Sequence, residues 1–412
     1  MPGLDLARAL AIIGMVAVHT TTVSTQVSLT DPATWSGLAN GRPSLLFALL
    51  GGISIALMTG RKQLPQAAEL PRIRLNLTAR ALTIFAIGVL LEQLATNVAV
   101  ILTLYGAIYF LLFPFLRLPP KILFGLSLGI ALLGPLLVEI LNKFFPVSIG
   151  MGHALLFQTS YSLPAWLATM LFGLGIGRSI TDWRNIKVAL TFLALGLALT
   201  SLGYGLGSLY QGGGQSQAEK SSLAEDFSGK SPEFYEQLSQ AEGWETEKDK
   251  SQLPLSDPSQ ETESATDNEI ISAWPDTLAT ALSTDWGALA MEALLTSRPH
   301  SGASAEIIGS GGISLIVLGL CLLLSRLLPY LLYPLLALGT MPLTAYSAHV
   351  FIIWLVTGPG GNLSSLPFFL FLTTVLILAS SLWLLFYRRG PLEALTQKVA
   401  KAMLGPLART KN

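Results

Sequence analysis

The stretch from Gly3 to Thr20, GLDLARALAIIGMVAVHT, is an apolar run long enough to cross a membrane. It carries three ionisable residues, Asp5, Arg8 and His19. On a helix that turns ~100° per residue, the steps from Arg8 to His19 return to within about 20° of the same face. One stripe therefore carries an acid and a cation at its base and an imidazole about 16 Å higher.

Ionisable side chains inside a bilayer are costly, so this stripe predicts a functional site. The alternative is that Asp5 and Arg8 are interfacial anchors and that His19 is a satisfied polar residue near the far surface.

The composition of the whole chain is typical of a membrane protein. Of its 412 residues, 51% are hydrophobic and only 12% are charged, about half the charged fraction of an ordinary soluble domain. The mean hydropathy is +0.57. The single cysteine, Cys321, lies in a hydrophobic run, which excludes a disulfide framework and argues against a metal–thiolate site.

Several long windows carry almost no charge, and they predict an all-α fold: a polytopic membrane helix bundle of about ten transmembrane helices with one long extracytoplasmic loop. Seven spans precede the loop and three follow it. The predicted spans are 4–23, 43–60, 78–94, 98–116, 122–141, 163–177, 188–208, 306–325, 332–356 and 366–387.

The spans divide the chain into five parts. Residues 1–208 hold helices one to seven, and 306–387 hold the last three, followed by a basic cytoplasmic tail at 388–412. Residues 209–272 form an acidic insertion that we predict to be disordered, because it cannot bury enough apolar area to offset its ordering entropy. Residues 273–305 are predicted to form an amphipathic helix on the outer surface, since apolar residues recur there at helical spacing. These are Trp274, Leu278, Leu282, Trp286, Leu289 and Ala293.

The distribution of basic residues predicts the orientation. With the N-terminus in the cytoplasm, the inside segments hold seventeen Lys and Arg, whereas the short outside loops hold only Arg42 and Lys143. By the positive-inside rule, both termini are then cytoplasmic.

This orientation brings all four histidines to the outer side or close to it: His19, His153, His300 and His349. Histidine is the side chain best suited to exchange protons near neutral pH. A zinc site is the competing interpretation, but no acid lies beside the histidines at ligand spacing, so we predict no metal.

Other polar residues are predicted at the same outer ends. Arg42 could bind an anionic group bidentately, or it could simply snorkel to the interface. The stretch PHSGASAEIIGSGG (299–312) carries His300, Ser301 and Glu306 before glycines that allow close helix packing. Tyr346 lies one turn before His349, so the two can share a face.

Signatures of several other enzyme classes are missing from the sequence. It contains no Gly-x-Ser-x-Gly motif, phosphate loop or redox signature, so a serine hydrolase or a nucleotide-driven pump is not supported.

Asp5 and Arg8 followed by His19 resemble the opening signature of membrane-bound acyltransferase-3 proteins. GLANGRPSLLFALLGGISIALMTGR (37–61), PHSGASAEIIGSGG and LGTMPLTAYSAHVFIIW (338–354) resemble a related branch, that of heparan-α-glucosaminide N-acetyltransferase-like and YeiB-type membrane proteins. The closing RRGPLEALTQKVAK (388–401) also resembles the YeiB-type C-terminus. The similarity covers nearly all of the membrane part and omits the acidic insertion.

This resemblance implies acyl transfer across the plasma (inner) membrane of a bacterium. An acyl group, expected to be acetyl, would pass from a cytoplasmic donor such as acyl-CoA to an extracytoplasmic envelope sugar or glycolipid. His19 would be the catalytic histidine, with Arg8 and Asp5 from the opening motif. In the lysosomal N-acetyltransferase the active histidine precedes the tryptophan before helix 2, whereas here Asp31 to Thr34 precede Trp35. The chain would therefore use the acyltransferase-3 arrangement, in which the catalytic histidine, here His19, lies in helix 1.

In the acyltransferase hypothesis, the remaining polar residues would bind substrates. Arg42 or Arg8 would hold the donor's phosphates or the developing oxyanion, and His300, Ser301, Glu306, Tyr346 and His349 would surround the acceptor or polarise His19. No tightly bound cofactor and no nucleic-acid partner are expected; membrane lipids are, and oligomerisation stays open. The alternative is a transporter or flippase for a lipid or small metabolite, which uses the same stripe as a pathway.

Overall fold

The computed structural model describes residues 1–24, 30–144, 162–228 and 283–408, and within these ranges every regular element is helical. The α-helices in chain order are α1 (Pro2–Thr20), α2 (Arg42–Met58), α3 (Leu70–Glu92), α4 (Leu102–Leu111), α5 (Pro120–Phe144), α6 (Leu163–Ser179), α7 (Ile186–Ser228), α8 (Trp286–Leu295), α9 (Ser304–Leu327), α10 (Tyr333–Thr340), α11 (Pro342–Thr357), α12 (Leu366–Phe386) and α13 (Pro391–Ala408). Short 3₁₀ helices span Pro32–Ala39, Ala67–Glu69 and Phe113–Arg117.

Proline marks the start of most of these helices. The first backbone N–H groups of a helix have no acceptor within it, so proline loses nothing there and its fixed φ suits the first turn. It occupies that turn in α1, α2, α3, α6, α10, α11 and α12. Most helices of this apolar chain therefore begin at a proline, whereas Pro135 lies inside α5.

Seven helices in the described ranges are long and apolar enough to cross a membrane, and eight if the bent pair α10–α11 counts as one span. Their outward faces carry large apolar side chains such as Leu133 and Phe386, which are 67% and 79% exposed. Such faces are stable against lipid, and the helices satisfy their own backbone groups. The predicted all-α membrane bundle is confirmed.

Two of the ten predicted spans are shorter helices. Residues 98–116 hold only the ten-residue helix α4, followed by a 3₁₀ helix that contains Pro114. Residues 163–177 lie in α6, whose 17 residues measure about 26 Å, slightly less than the hydrocarbon core of a bilayer.

One predicted span is broken. Residues 332–356 do not form a single helix, as the sequence pattern suggested, but two helices that meet at 88°. Met341 lies between them with φ −127° and ψ 56°, and Pro342 has no N–H to continue the first helix and restricts the residue before it. The bend makes α11 an independent helix with its own N-terminus.

The bundle has two ends, which we name after the residues of α1. At the Asp5 end, α1 contacts α10 so closely that a Cβ on Gly339 would lie 1.7 Å from the Asp5 carbonyl oxygen. At the His19 end, the backbone N–H of Ser365 donates to the Thr20 carbonyl at 2.8 Å, which joins the start of α12 to the end of α1. The site residues lie at one or the other of these two ends.

The long connection between α7 and α9 lies partly outside the described residues. Helix α7 continues to Ser228, beyond the predicted end of its span at residue 208. Within the stretch predicted as a surface helix, α8 spans Trp286–Leu295 and buries Leu289 and Ala293. Trp274, Leu278 and Leu282 lie outside the described residues, so an amphipathic surface helix over 273–305 stays a prediction. The disorder predicted for the rest of 209–272 stays a prediction.

Candidate active site

His19 lies in the last turn of α1, where its imidazole meets that of His349 from α11. The Nδ1 atom of His19 is 3.2 Å from the Nε2 atom of His349. The two rings stack with their centroids 5.4 Å apart and their planes 5° from parallel. His349 is completely buried. The structure therefore brings together two predicted site residues that are 330 positions apart.

The contact between the two rings restricts which of their nitrogen atoms can carry a proton. One of the two facing nitrogens must donate and the other must accept. If His19 donates through Nδ1, its Nε2 lone pair is free to act as a base. If His349 donates instead, Nε2 of His19 carries the proton and can only donate a hydrogen bond. The tautomer of the pair therefore decides whether His19 can act as a base.

Tyr346 holds the His349 ring from the side. Its ring meets that of His349 edge-on, with centroids 4.8 Å apart at 83°, as their spacing of one turn predicts. The Tyr346 hydroxyl accepts a hydrogen bond from the backbone N–H of Ile101 at 3.1 Å. Because Ile101 immediately precedes α4, this bond ties α11 to a neighbouring helix. Tyr346 is thus placed to orient His349.

His300 and Glu306 form one structural unit before and within the first turn of α9. The Glu306 carboxylate accepts hydrogen bonds from the backbone N–H groups of His300 and Gly302, at 2.8 and 2.7 Å, and from the Ser301 hydroxyl at 3.1 Å. His300 has a φ of +63°, in the left-handed region that favours glycine. Glu306 and Ser301 therefore hold the turn that presents His300.

Arg42, the first residue of α2, points inward. It is 9% exposed, its Nε donates to the Tyr204 hydroxyl at 2.9 Å, and its Nη1 donates to the Gly37 carbonyl. The Tyr204 hydroxyl also shares a hydrogen bond of 2.8 Å with Ser310. This burial disfavours the snorkelling interpretation. Tyr204 and Ser310 were not predicted, because no local pattern links α7 to α2.

Two cavities adjoin the histidines. The inner cavity, of about 20 Å³, is lined by His19, His300 and Tyr346 and has room for about one water molecule. The outer cavity, of about 370 Å³, is within the range of small-ligand sites. His300 lines both cavities and separates them. The outer cavity is lined by Pro135, Val138, Glu139, Ser162, Glu292, Ala293, Thr296, Arg298, Pro299, His300, Ser301, Gly302 and Ala303.

The polar lining of the outer cavity includes groups with unused hydrogen-bonding capacity. The hydroxyls of Ser162 and Thr296 are buried and have no hydrogen-bond partner among the residues that the structure describes. Glu139 and Glu292 add two carboxylates, and Arg298 bonds Glu292 at 3.3 Å. These five residues were not predicted from the sequence, since they come from three separate segments.

Asp5 and Arg8 lie at the opposite end of α1 from His19. Arg8 donates to Asp5 at 2.7 Å and to the Ser54 hydroxyl at 2.8 Å. The structure therefore does not bring the opening-motif residues into one site with His19, from which Arg8 is about 16 Å away along the helix axis. His153, the fourth histidine, lies outside the described residues.

The Asp5 end has a cavity of its own, of about 640 Å³. Two basic residues, Arg184 and Arg326, and the aromatic Trp183 are among its lining residues. The indole N–H of Trp183 is buried without a hydrogen-bond partner. Its lining residues are Met1, Pro2, Gly3, Thr181, Asp182, Trp183, Arg184, Leu322, Ser325, Arg326 and Pro329.

The protein is thus a polytopic helical bundle in which a partly buried imidazole pair lies beside a ligand-sized cavity. The family model described as heparan-alpha-glucosaminide N-acetyltransferase, catalytic, matches residues 1–210, just over half of the 412 residues. The chain therefore belongs to this family of N-acetyltransferase-like membrane enzymes. Searches of the curated proteins and of the solved structures found no match. The family match includes His19 and Arg42, whereas His300, Glu306, Tyr346 and His349 follow it.

Proposed function

We propose that the protein transfers an acyl group, expected to be acetyl, from a CoA thioester to an extracytoplasmic sugar or glycolipid of the cell envelope. The observation that carries this proposal is the contact between the partly buried His19 and the fully buried His349 beside the two cavities. Acyl transfer needs a base that removes a proton from the acceptor as it attacks, and histidine is suited to that role near neutral pH. Family membership supports the reaction type.

In the proposed reaction His19 acts as the base and His349 orients it. His19 takes the proton from the acceptor N–H or O–H group while the acceptor atom forms a bond to the thioester carbonyl carbon. The C–S bond then breaks, and the leaving thiolate takes up the proton that His19 has gained, which returns His19 to its neutral form. In a second version His19 carries the acyl group transiently, as a nucleophile. Both versions require Nε2 of His19, because Nδ1 contacts His349.

The outer cavity would hold the acceptor. Its two carboxylates, Glu139 and Glu292, favour a cationic group, and the unpartnered hydroxyls of Ser162 and Thr296 suit a polyhydroxylated ligand. An amino sugar satisfies both requirements, which agrees with the glucosaminide in the family description. His300, between this cavity and His19, would contact the acceptor as it reaches the base.

The cavity at the Asp5 end would hold the donor. Arg184 and Arg326 are exposed at this cavity and are suited to phosphate groups. Basic residues are concentrated at this end of the bundle. By the positive-inside rule, this supports its placement on the cytoplasmic side of the plasma membrane. Helix α1 would then connect a donor side to an acceptor side.

Mass spectrometry of envelope glycans and lipids tests this function. Cells that lack the protein should lose an acyl increment from one envelope component, and the His19→Ala variant should reproduce that loss although it is folded and inserted. Thr22→Val, a change at an exposed position at the same end, is the matched control and should retain the increment. Retained acylation with His19→Ala would remove His19 from the mechanism. An unmodified precursor that accumulates on the inner side would instead indicate transport.

A further inference from the structure

The C-terminal stretch Gly390-Pro391-Leu392-Glu393 contacts the helix that carries His349. The Glu393 carboxylate accepts hydrogen bonds from the backbone N–H groups of Leu343 and Thr344, at 2.7 and 3.1 Å, and from the Thr344 hydroxyl at 2.6 Å. The Thr344 hydroxyl accepts in turn from the backbone N–H of Leu392 at 3.1 Å. The start of α13 and the start of α11 are thus bonded to each other.

Helix α11 needs such a partner because of the bend that precedes it. Its first N–H groups have no acceptors inside the helix, and the 88° turn removes those that a continuous helix would supply. Glu393 provides a charged acceptor at the positive end of the helix dipole. The carboxylate therefore fixes the N-terminus of α11 in both position and direction.

The glycine of this stretch is required by the same contact. A Cβ on Gly390 would lie 2.2 Å from the Glu393 carboxylate, 2.5 Å from the Met341 side chain and 2.8 Å from the Thr344 hydroxyl. All three distances are shorter than real side-chain contacts allow. Gly390 thus permits α13 to approach the bend between α10 and α11.

Glu393 is connected to the histidine pair through two turns of α11. His349 follows Leu343 by six residues, about 9 Å along the axis, and its buried ring has its position set by the helix and by Tyr346. We propose that Glu393 is a positioning residue: by holding the first turn of α11, it keeps His349 in contact with His19. The catalytic consequence of this inference rests on the proposed function. The effect of Glu393 on the positions of the His349 and His19 rings can be measured independently of that function.

The test is nuclear magnetic resonance of the purified full-length protein, labelled with ¹⁵N only in its histidine side chains. The chain has four histidines, so single His→Gln variants assign the signals. In Glu393→Gln the side chain loses its negative charge, and its N–H₂ group replaces the oxygen that accepts from the Thr344 hydroxyl, so the contact with the start of α11 is weakened. We expect the ring signals of His349 and His19 to shift, whereas those of His300 stay in place.

Glu69→Gln is the matched control. Glu69 also accepts a backbone N–H, that of Gln66 at 3.0 Å, but it caps an exposed 3₁₀ turn without contact to α11. It should leave all four signals unchanged. If Glu393→Gln does not fold, Thr344→Val removes only the bridging hydroxyl and should shift the same two signals by less.

Unchanged His349 and His19 signals in a folded Glu393→Gln protein would overturn the proposal. In cells, a displaced base should reduce the acylated fraction on the order of tenfold or more at equal protein level. If His19→Ala retains acylation while Glu393→Gln still shifts the signals, the proposed function fails and the coupling stands.

Discussion

The two ends of the bundle stabilise their polar groups in different ways. At the Asp5 end, the side chains of Arg8 and Asp5 stay 20% and 14% exposed and form an ion pair. At the His19 end, His349 is fully buried and contacts another imidazole. Burying an ion is costly, whereas a neutral imidazole needs only hydrogen bonds. The charged residues buried at the His19 end, Arg42 and Glu306, are stabilised by hydrogen bonds to neighbouring helices and turns. The Asp5 end thus keeps an ion pair near solvent, whereas the histidine pair is suited to moving protons.

Helix dipoles strengthen this difference. The N-termini of α2, α6 and α9 meet around a second small cavity at the His19 end, lined by Gly41, Ser162 and Gly302 among others. Helix N-termini carry partial positive charge. Glu306, at the same place, supplies a negative charge that accepts three hydrogen bonds. The Glu306 carboxylate therefore offsets the positive ends of these helices.

The largest expected effect comes from separating the two imidazoles. In His349→Phe the stacked ring remains, but the nitrogen that contacts His19 is lost. His19 then has no partner to select its tautomer, and acyl transfer should fall on the order of 10²-fold or more. Donor binding at the Asp5 end should be unchanged. Transfer rates and CoA binding of the purified variant check both statements.

Phe351→Leu is the control for this variant. Phe351 lies on the same helix, but its side chain is 45% exposed on the outer face. Its replacement should leave transfer unchanged. Equal rates for His349→Phe and wild type would show that the pair does not act as a unit.

The contrast between the ends also explains what the sequence could predict. Span positions and the excess of basic residues at one end are local properties, so hydropathy and charge counting suffice for the helical bundle. The periodicity of α1 places Arg8 and His19 on one stripe, but the helical rise puts them in different sites. The bend before Pro342 interrupts an unbroken apolar run, and hydropathy does not detect it.

The pairing of helices is the part that sequence reasoning missed. His19 meets His349 across 330 positions, and no local pattern states which helices are neighbours. The same holds for Arg42 with Tyr204 and for Glu393 with Thr344. Glu306 was predicted to contact the acceptor or polarise His19 because it lies at the outer end of a span; in the structure its carboxylate accepts hydrogen bonds from the backbone N–H groups of His300 and Gly302.

A smaller effect is expected from weakening the turn before α9 that holds His300. In Glu306→Gln one carboxylate oxygen becomes an N–H₂ group, so a buried backbone N–H, that of Gly302 or His300, loses its acceptor. The loss should cost about 1–3 kcal/mol of stability. The midpoint of thermal unfolding in detergent should fall accordingly.

Glu92→Gln provides the comparison for Glu306→Gln. Glu92 is exposed at the same end and accepts one hydrogen bond, from the Thr103 hydroxyl at 2.7 Å. Its replacement should change the midpoint much less. Equal shifts for the two variants would mean that the His300 turn does not depend on Glu306.

The smallest expected effect lies at the Asp5 end. Arg184 and Arg326 are exposed, so solvent and salt screen their attraction for the phosphates of a CoA donor. Arg184→Gln and Arg326→Gln should each weaken CoA binding by about threefold to tenfold at low salt, and by less at high salt. Lys143→Gln, at the opposite end, should have no effect. If Lys143→Gln weakened CoA binding as much as the two arginine variants, the donor would not bind at the Asp5 end, because only proximity to the phosphates distinguishes these positive charges.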